Sequence, residues 1–251
     1  MAEKMFDTLF IKNPDSLGDI LVANGLFHHF IEKANQVVMG VNDTFFETTK
    51  CLYQDFDKVH VVTLDYFYNV KQTTPNSFTL PPSTLSMNPI QYGDGTHGGV
   101  FLCWDKQYYD SFDLPFSLRY RNFKMPKYIE GAKELKDKLT EGEKDYIIVN
   151  RHMGAEENYI SYFVEPFNTN NYKVIEIHPK TTNNALQYVE LFKHAKQIHV
   201  LPTSFHHLVE SMITDVQGEL YFHNARRNFY SVVNTYWNDH RWNIINYLDK
   251  W

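Results

Sequence analysis

The chain has almost no cysteine. Cys51 and Cys103 are its only two among 251 residues, too few for a disulfide framework and without the spacing of a zinc site. It also has no apolar run near the roughly 20 residues that cross a bilayer. Residues 1–7 carry acidic side chains where a secretory signal would be basic and then apolar. We therefore expect a cytoplasmic protein with reduced thiols and no membrane span.

The chain also has no net positive charge. The formal net charge is −6, which argues against a general nucleic-acid binder, because such proteins need a basic surface to displace counterions from phosphates. The sequence has no Gly-x-Ser-x-Gly elbow and no Gly-x-x-x-x-Gly-Lys-Ser/Thr loop, so serine esterases and phosphate-loop kinases are disfavoured. With 43% hydrophobic residues, the chain can nevertheless bury a large core.

Short apolar runs alternate with helix-patterned segments along the chain. This alternation predicts an α/β protein with mostly parallel sheets and helices on their faces. The predicted strands cover residues 8–11, 36–41, 58–63, 100–104, 145–149, 172–177, 197–201 and 219–222. The predicted helices cover residues 19–34, 43–53, 106–112, 128–139, 184–196, 205–213 and 235–251.

Two stretches interrupt the alternation. Residues 72–99 are rich in Pro, Ser, Thr, Asn and Gly and predict long loops, and residues 114–126 predict an irregular segment that closes a first lobe. The sequence therefore predicts two Rossmann-like lobes with a cleft between them, residues 1–126 and 127–251, the second ending in the helix at 235–251.

In open α/β sheets, ligands bind beyond the carboxyl ends of the strands, where loops lead into helix N-termini. The first such loop ends at Gly18-Asp19. Gly18 permits a close approach of a ligand to the backbone. Asp19 is a candidate general base, because a positioned carboxylate can deprotonate an attacking hydroxyl. The alternative is that Asp19 only begins a helix.

A late loop has the composition of an anion site. Thr203 and Ser204 follow a predicted strand and precede a helix, so they offer two hydroxyls and free backbone amides to a diphosphate. His207 lies on that helix. The alternative for Thr203 and Ser204 is simple helix capping, and for His207 a surface or core position.

Basic and polar residues follow the other strands of the second lobe. Arg151 could clamp a phosphate with its planar guanidinium, or it could be an ordinary surface arginine. Lys180 could add positive charge near the diphosphate, and His178 could meet the base or ribose; both could equally be solvated loop residues. Glu210 could accept hydrogen bonds from ribose hydroxyls, with a solvated helix face as the alternative.

The loop that ends at Gly18-Asp19 and the loop that contains Thr203-Ser204 together resemble two loops of a known family. The segment around Gly18-Asp19 resembles the first strand-to-helix loop of the heptosyltransferase-like family, where a Gly-Asp pair precedes an aliphatic helix start. The segment around His207-Leu208 resembles that family's late loop, where Ser/Thr-rich sequence runs into a His-Leu pair. The order of the two motifs also matches the two-Rossmann-domain glycosyltransferase fold called GT-B.

The resemblance implies a transferase that needs no metal and no cofactor. Its first lobe would hold a glycan or other hydroxyl acceptor and its second lobe the nucleotide-sugar donor, with Asp19 as general base for inversion. Together with the loop positions described above, this predicts Gly18, Arg151, Lys180, Thr203, Ser204 and His207 around the donor phosphates and His178 and Glu210 around the base or ribose. A nucleotide-sugar epimerase or hydrolase, and a non-catalytic glycan- or nucleotide-binding protein, are the alternative functions.

Overall fold

The computed structural model describes residues 5–74, 78–80, 104–153, 160–161, 172–224 and 241–246. These residues divide into two compact units that meet in sequence between Ile129 and Glu130. No helix among the described residues is both long and apolar enough to cross a bilayer.

The first unit is built on a four-stranded parallel sheet with the strand order β3-β2-β1-β4. Its strands are β1 (Phe6–Lys12), β2 (Ala34–Val41), β3 (Val59–Thr63) and β4 (Phe78–Leu80). Its helices are α1 (Leu17–Ile31), α2 (Phe46–Tyr53, entered through a 3-10 turn at Asp43–Phe45), α3 (Leu64–Thr73), α4 (Trp104–Asp110) and α5 (Leu118–Arg121).

The core of this unit lies around β1 and α1. Leu9, Phe10 and Ile11 are fully buried, as expected for a central parallel strand covered on both faces. The ring of Phe10 packs edge-on against Phe67 of α3 at a centroid distance of 5.6 Å, so α3 covers the face to which Phe10 points. Since side chains alternate along a strand, Leu9 and Ile11 point to the opposite face.

Helix α1 is buried along most of its length, and one glycine allows its close packing. A Cβ on Gly25 would collide with backbone atoms of Leu118 and Arg119. Glycine therefore lets α5 approach the backbone of α1 directly, and this contact ties the segment after α4 to the sheet.

The second unit contains a five-stranded parallel sheet with the order β11-β10-β9-β5-β8. The strands of this sheet are β5 (Tyr146–Val149), β8 (Lys173–Glu176), β9 (Gln197–Val200), β10 (Glu219–Asn224) and β11 (Trp242–Asn246). A short antiparallel pair joins β6 (His152–Met153) to β7 (Ile160–Ser161). The helices are α6 (Ala132–Thr140), α7 (Val189–His194) and α8 (Ser204–Ser211), with 3-10 turns at Pro179–Thr181 and Ala185–Tyr188.

The parallel sheets confirm the predicted α/β class, but three element predictions need correction. Residues 72–99, predicted to be loops, include β4, which pairs parallel with β1. The first two of these residues, 72 and 73, belong to the end of α3. Within the segment predicted to be irregular, residues 118–121 form α5. Trp104, predicted to end a strand, begins α4, while residues 100–103 lie outside the described residues.

The predicted C-terminal helix is wrong over residues 242–246, which form β11 beside β10. Helical spacing of apolar residues did suggest a helix, but Trp242, Ile244 and Ile245 also have high strand propensity. Backbone pairing with β10 and burial of Trp242, which packs on Phe222, decide between the two. Residues 235–240 and 247–251 lie outside the described part of the chain.

Candidate functional site

The loop after β1 lies at the point where the order of strands in the first sheet reverses. From β1 the chain moves to β2 on one side, while β4 pairs on the other side. Such a switch point leaves an opening at the carboxyl edge of a parallel sheet, and ligands of α/β proteins bind there. The loop over residues 13–16 crosses this edge and leads into α1.

The carboxylate of Asp19 is held in the first turn of α1. Ser16 is the N-cap of the helix: its hydroxyl donates to Oδ2 of Asp19 at 2.5 Å, and its Oγ accepts from the Asp19 backbone N–H at 3.3 Å. The hydroxyl of Tyr108, from α4, makes a second hydrogen bond to the carboxylate. Asp19 is thus a fixed acid group rather than a freely moving side chain.

The surroundings of Asp19 make it a stronger base than an exposed aspartate. Burial raises its pKa above the ordinary value, the hydrogen bonds from Ser16 and Tyr108 lower it, and the nearby charge of Asp15 raises it again. The net direction is upward, because loss of hydration of the charged form is the largest effect. A carboxylate with a raised pKa binds a proton more tightly, which suits it to accept one from a hydroxyl.

Gly18 and Asn13 are the other notable residues of this loop. Gly18 lies inside α1, directly before Asp19. Asn13 follows β1, and its backbone N–H donates to the Gly40 carbonyl at 2.8 Å. The Asn13 side chain is only 2% exposed, and neither its amide nitrogen nor its amide oxygen has a hydrogen-bond partner among the described residues.

The second sheet has its own switch point, between β5 and β9. The loops that follow these two strands are bonded to each other there. The hydroxyl of Thr203 donates to Oδ1 of Asn150 at 3.0 Å, and the amide nitrogen of Asn150 donates to the His152 carbonyl at 3.1 Å. Two loops that the sequence predicts to be ligand-binding therefore come together at one place.

The helix α8 begins at this junction with its first amides uncapped by a side chain. Thr203 occupies the N-cap position, but among the described residues no side chain makes the capping hydrogen bond there. The hydroxyl of Thr203 is committed to Asn150 instead, so the capping alternative for Thr203 is wrong. Ser204 and His207 are half-buried on α8, with Ser204 at the first helical position. Free amides at a helix N-terminus attract anions.

Arg151 belongs to a cluster at the carboxyl ends of β5 and β8. Its Nη1 lies 2.7 Å from Oε2 of Glu176, and Nε2 of His152 lies 2.9 Å from the other carboxylate oxygen. The Arg151 side chain is 27% exposed. It is therefore a partly buried, paired arginine whose guanidinium stands at the edge of the sheet where a ligand would bind.

His178 and Lys180 extend this cluster along the next loop. The ring of His178 packs edge-on against that of His152 at a centroid distance of 4.5 Å. Burial lowers the pKa of His178, with further lowering by His152 and Lys180 and an opposing effect of Glu176. Its Nδ1 accepts from the Lys180 backbone N–H at 3.0 Å, so the neutral ring carries its proton on Nε2 and can donate there. Lys180 is exposed.

Glu210 does not match either predicted role. Its side chain is 2% exposed, and Oε1 accepts a hydrogen bond from the Trp242 indole at 2.6 Å. The alternative of a solvated helix face is therefore wrong. A carboxylate buried against β11 also has no open path to a ribose hydroxyl, because α8 turns this side of the helix toward the core.

The expectation of a metal-free site overlooks one Asp-x-Asp triplet, Asp55-Phe56-Asp57. Paired carboxylates of this kind can hold a divalent cation. The triplet precedes β3 and so lies at the amino edge of the first sheet, opposite to Asp19, and the Asp55 carboxylate accepts from the Lys127 backbone N–H at 2.9 Å. Within the described ranges, no three His, Cys, Asp or Glu residues are grouped to hold a metal ion.

Several residues of the two sites were not predicted from the sequence. They are Asn13, Ser16, Tyr108, Asn150, His152 and Glu176. Ser16 could have been found, because Ser-x-x-Asp at a helix start has the spacing of a capping box. Tyr108 could not, since nothing in the local sequence indicates that α4 packs beside the first turn of α1.

Comparison with known proteins shows a likeness in fold to solved structures. No protein-family model matches the chain, and no curated protein matches it in sequence. The E. coli ADP-heptose LPS heptosyltransferase II is similar in structure, with a TM-score of 0.53 and 12% identity over 95% of this chain and 90% of that one. E. coli heptosyltransferase WaaC matches with a TM-score of 0.42, both with ADP (10% identity, 95% and 90% covered) and with ADP-2-deoxy-2-fluoro heptose (9%, 95% and 92%). The resemblance predicted from Gly18-Asp19 and His207-Leu208 is confirmed at the level of the fold.

Proposed function

We propose that this protein is a glycosyltransferase that moves a sugar from a nucleotide-sugar donor to a hydroxyl group of a glycan or other acceptor. The observation that carries the proposal is Asp19: a half-buried carboxylate with a raised pKa, fixed by Ser16 and Tyr108 at the switch point of the first sheet. The likeness in fold to a heptosyltransferase supports the same class of reaction.

In the proposed reaction, Asp19 acts as the general base. Its carboxylate takes the proton of the acceptor hydroxyl while the hydroxyl oxygen attacks the anomeric carbon of the donor sugar. The bond from that carbon to the phosphate oxygen breaks, and the departing nucleotide keeps the electron pair. Attack from the face opposite to the leaving group inverts the configuration. Asp19 ends protonated and returns its proton to solvent.

The second unit supplies the proposed donor site. The free amides at the start of α8 and the guanidinium of Arg151 stabilise the negative charge that develops on the departing phosphate. Lys180 adds a positive charge, and the Nε2–H of His178 can donate to a ribose hydroxyl or a base atom. We propose that these groups replace a metal ion and that no cofactor is needed.

The assignment of the two halves follows from these roles. We assign acceptor binding to residues 1–126, which contain Asp19, and donor binding to residues 127–251, which contain the second switch point. Pairing of Arg151 with Glu176 means that a bound diphosphate competes with or joins this ion pair. Glu210 is left out of the proposed ribose site because it is buried against Trp242.

A thermal-shift screen tests the donor part of the proposal. The purified protein is melted with UDP-, GDP-, dTDP-, CMP- and ADP-sugars in the presence of EDTA, since a ligand that binds only the native state raises Tm. ADP-sugars come first, because heptosyltransferase II is named for ADP-heptose. We expect one nucleotide series to raise Tm, and we expect EDTA to leave that shift unchanged.

Product analysis then separates the candidate functions. A transferase releases the nucleotide rapidly only when a hydroxyl acceptor is present, whereas a nucleotide-sugar hydrolase or epimerase turns over the donor alone. A protein that binds a nucleotide or glycan without any turnover would be the non-catalytic alternative. A donor that raises Tm but is never consumed with any acceptor would overturn the proposal.

A further inference from the structure

The side-chain amide of Asn13 is a buried polar group of the first unit without a hydrogen-bond partner among the described residues. Asn13 is only 2% exposed to solvent. Neither its amide nitrogen nor its amide oxygen has a hydrogen-bond partner among the described residues. Burying an amide without hydrogen bonds is unfavourable, and native proteins rarely leave such groups unpaired. The Asn13 amide therefore needs hydrogen-bond partners that the rest of the described structure does not supply.

The strand pattern places this amide at the sheet edge where α1 and Asp19 begin. Asn13 continues the ladder of β1, since its N–H bonds Gly40 of β2. Phe10 points toward α3, so by alternation Leu9, Ile11 and Asn13 point to the other face. Asn13 ends that row at the carboxyl edge, where α1 begins and Asp19 sits in the first turn.

An asparagine amide is chemically suited to a sugar. Its NH₂ group donates and its carbonyl accepts, so it can bind a hydroxyl in either sense or two adjacent hydroxyls at once. Asp19, the neighbouring proton acceptor, handles one hydroxyl of the acceptor in the proposed reaction. The Asn13 amide, at the same strand end, can bind a further hydroxyl of the same acceptor molecule.

We propose that Asn13 determines acceptor specificity by binding, through its side-chain amide, a hydroxyl next to the one that Asp19 deprotonates. The inference rests on the proposed function. Pro14 is buried with Asn13, so the proposed contact requires Asn13 and Pro14 to open toward the acceptor while Ser16 stays bonded to Asp19. Asn13 then gains the hydrogen bonds that it lacks, and the correct acceptor is favoured over one without that hydroxyl.

The test combines stability with steady-state kinetics on the Asn13→Leu variant. Leucine keeps the shape of asparagine and removes an unpaired polar group, so we expect Tm to stay equal or to rise. We expect KM for the best methyl glycoside acceptor in a panel to rise by about ten-fold or more, because binding energy from a polar contact to the substrate is lost. KM for the donor should not change, because the proposed donor site lies in the second unit.

Asn24 provides the matched control. It is also fully buried on the same unit, but its amide donates to Tyr53 at 3.3 Å and accepts from the Lys124 backbone at 3.2 Å. Asn24→Leu should lower Tm and leave KM for the acceptor unchanged. The pair of variants therefore separates an amide reserved for a ligand from one that serves the fold.

Two results would contradict the inference, and they differ in what they say about the proposed function. If the wild-type protein transfers sugar and Asn13→Leu keeps the wild-type KM for the acceptor, Asn13 has no role in acceptor binding while the transferase proposal stands. If the wild-type protein transfers no sugar, both fall. Should Asn13→Leu fail to fold, Asn13→Ala removes the amide without adding branched volume and gives the same readout.

Discussion

The hydroxyl of Ser16 lies 2.5 Å from Oδ2 of Asp19, and the Tyr108 hydroxyl bonds the same carboxylate from α4. The two hydrogen bonds stabilise the charged form of Asp19 and lower its pKa, while burial acts in the opposite direction and prevails. The pair thus fixes the direction of the carboxylate and limits how far burial can raise its pKa.

Removing the Ser16 hydroxyl should change the pH dependence of the reaction. In Ser16→Ala the pKa of Asp19 rises further, because a hydrogen bond to the charged form is lost. A general base must be deprotonated, so the acidic limb of the pH profile of kcat/KM should move to higher pH. The profile is measured on the wild-type protein, Ser16→Ala and a control, Ser117→Ala, whose side chain makes no capping hydrogen bond.

The same variant should also be less stable. Ser16 is the N-cap of α1, and loss of a serine cap costs about 1 kcal/mol. A shift of the acidic limb toward lower pH, or no shift at all, would contradict the assigned role of Ser16. A loss of stability alone would show that Ser16 serves only the helix.

Replacement of Arg151 should weaken donor binding. Charge-assisted hydrogen bonds contribute about 1.5–3 kcal/mol, which corresponds to roughly 10- to 100-fold in affinity. We expect Arg151→Ala to lower the affinity for the nucleoside diphosphate by that factor, and Arg151→Lys to give an intermediate value because lysine lacks the planar fork. The measurement is isothermal titration with the nucleotide that raises Tm.

Lys196 offers a control on the same sheet. It also pairs with a carboxylate, that of Asp145 at 3.0 Å, but it lies at the amino edge, since Lys196 precedes β9 and Asp145 precedes β5. Lys196→Ala should leave the nucleotide affinity unchanged. Equal losses in Lys196→Ala and Arg151→Ala would mean that only the overall charge matters.

Three buried histidines should make the fold sensitive to mild acid. Burial lowers the pKa of His28 and His199 to about 3 and that of His223 to about 4, with Lys124 adding to the shift of His28 and His223 to that of His199. The unfolded chain takes up protons near pH 6.5, whereas these folded sites do not. Stability is therefore complete above about pH 6.5 and falls as the pH drops toward 4.

The magnitude can be measured by urea unfolding. Each such histidine removes up to about 1.4 kcal/mol of unfolding free energy per pH unit in that window. His28→Leu should reduce the slope of stability against pH by one proton, because His28 packs on Phe56 at 4.6 Å and titrates apart from the His199–His223 pair, which is bonded at 2.9 Å. An unchanged slope in His28→Leu would contradict the assignment.

Strong local signals made most of the sheet predictable from the sequence. Continuous apolar runs such as Leu9-Phe10-Ile11 identified buried parallel strands, and their alternation with helices identified the α/β class. Helix α3 was missed, because its sequence buries only Phe67 and has a weak apolar stripe. Strand β11 was mistaken for a helix because five residues carry too little pattern to show the period.

The candidate sites were predictable only where one loop carries its own signal. Asp19 follows a glycine at a helix start, and Thr203-Ser204 follows a strand, so both stood out. The partners that give these residues their chemistry come from distant segments: Tyr108 is 89 positions from Asp19 along the chain, and Asn150 is 53 from Thr203.

The glycines at 93, 95 and 98 have the spacing of a dinucleotide fingerprint, but they lie outside the described residues.

The most direct measurement compares kcat of Asp19→Asn with that of Asp15→Asn, with the donor and acceptor that the wild-type protein uses. Asparagine keeps the shape of the side chain but cannot take a proton, whereas Asp15 is exposed and stands beside the site. The account predicts that Asp19→Asn lowers kcat by about 10²–10⁴-fold while the donor still raises Tm, and that Asp15→Asn keeps its activity. Wild-type turnover in Asp19→Asn would contradict the central claim that Asp19 is the general base.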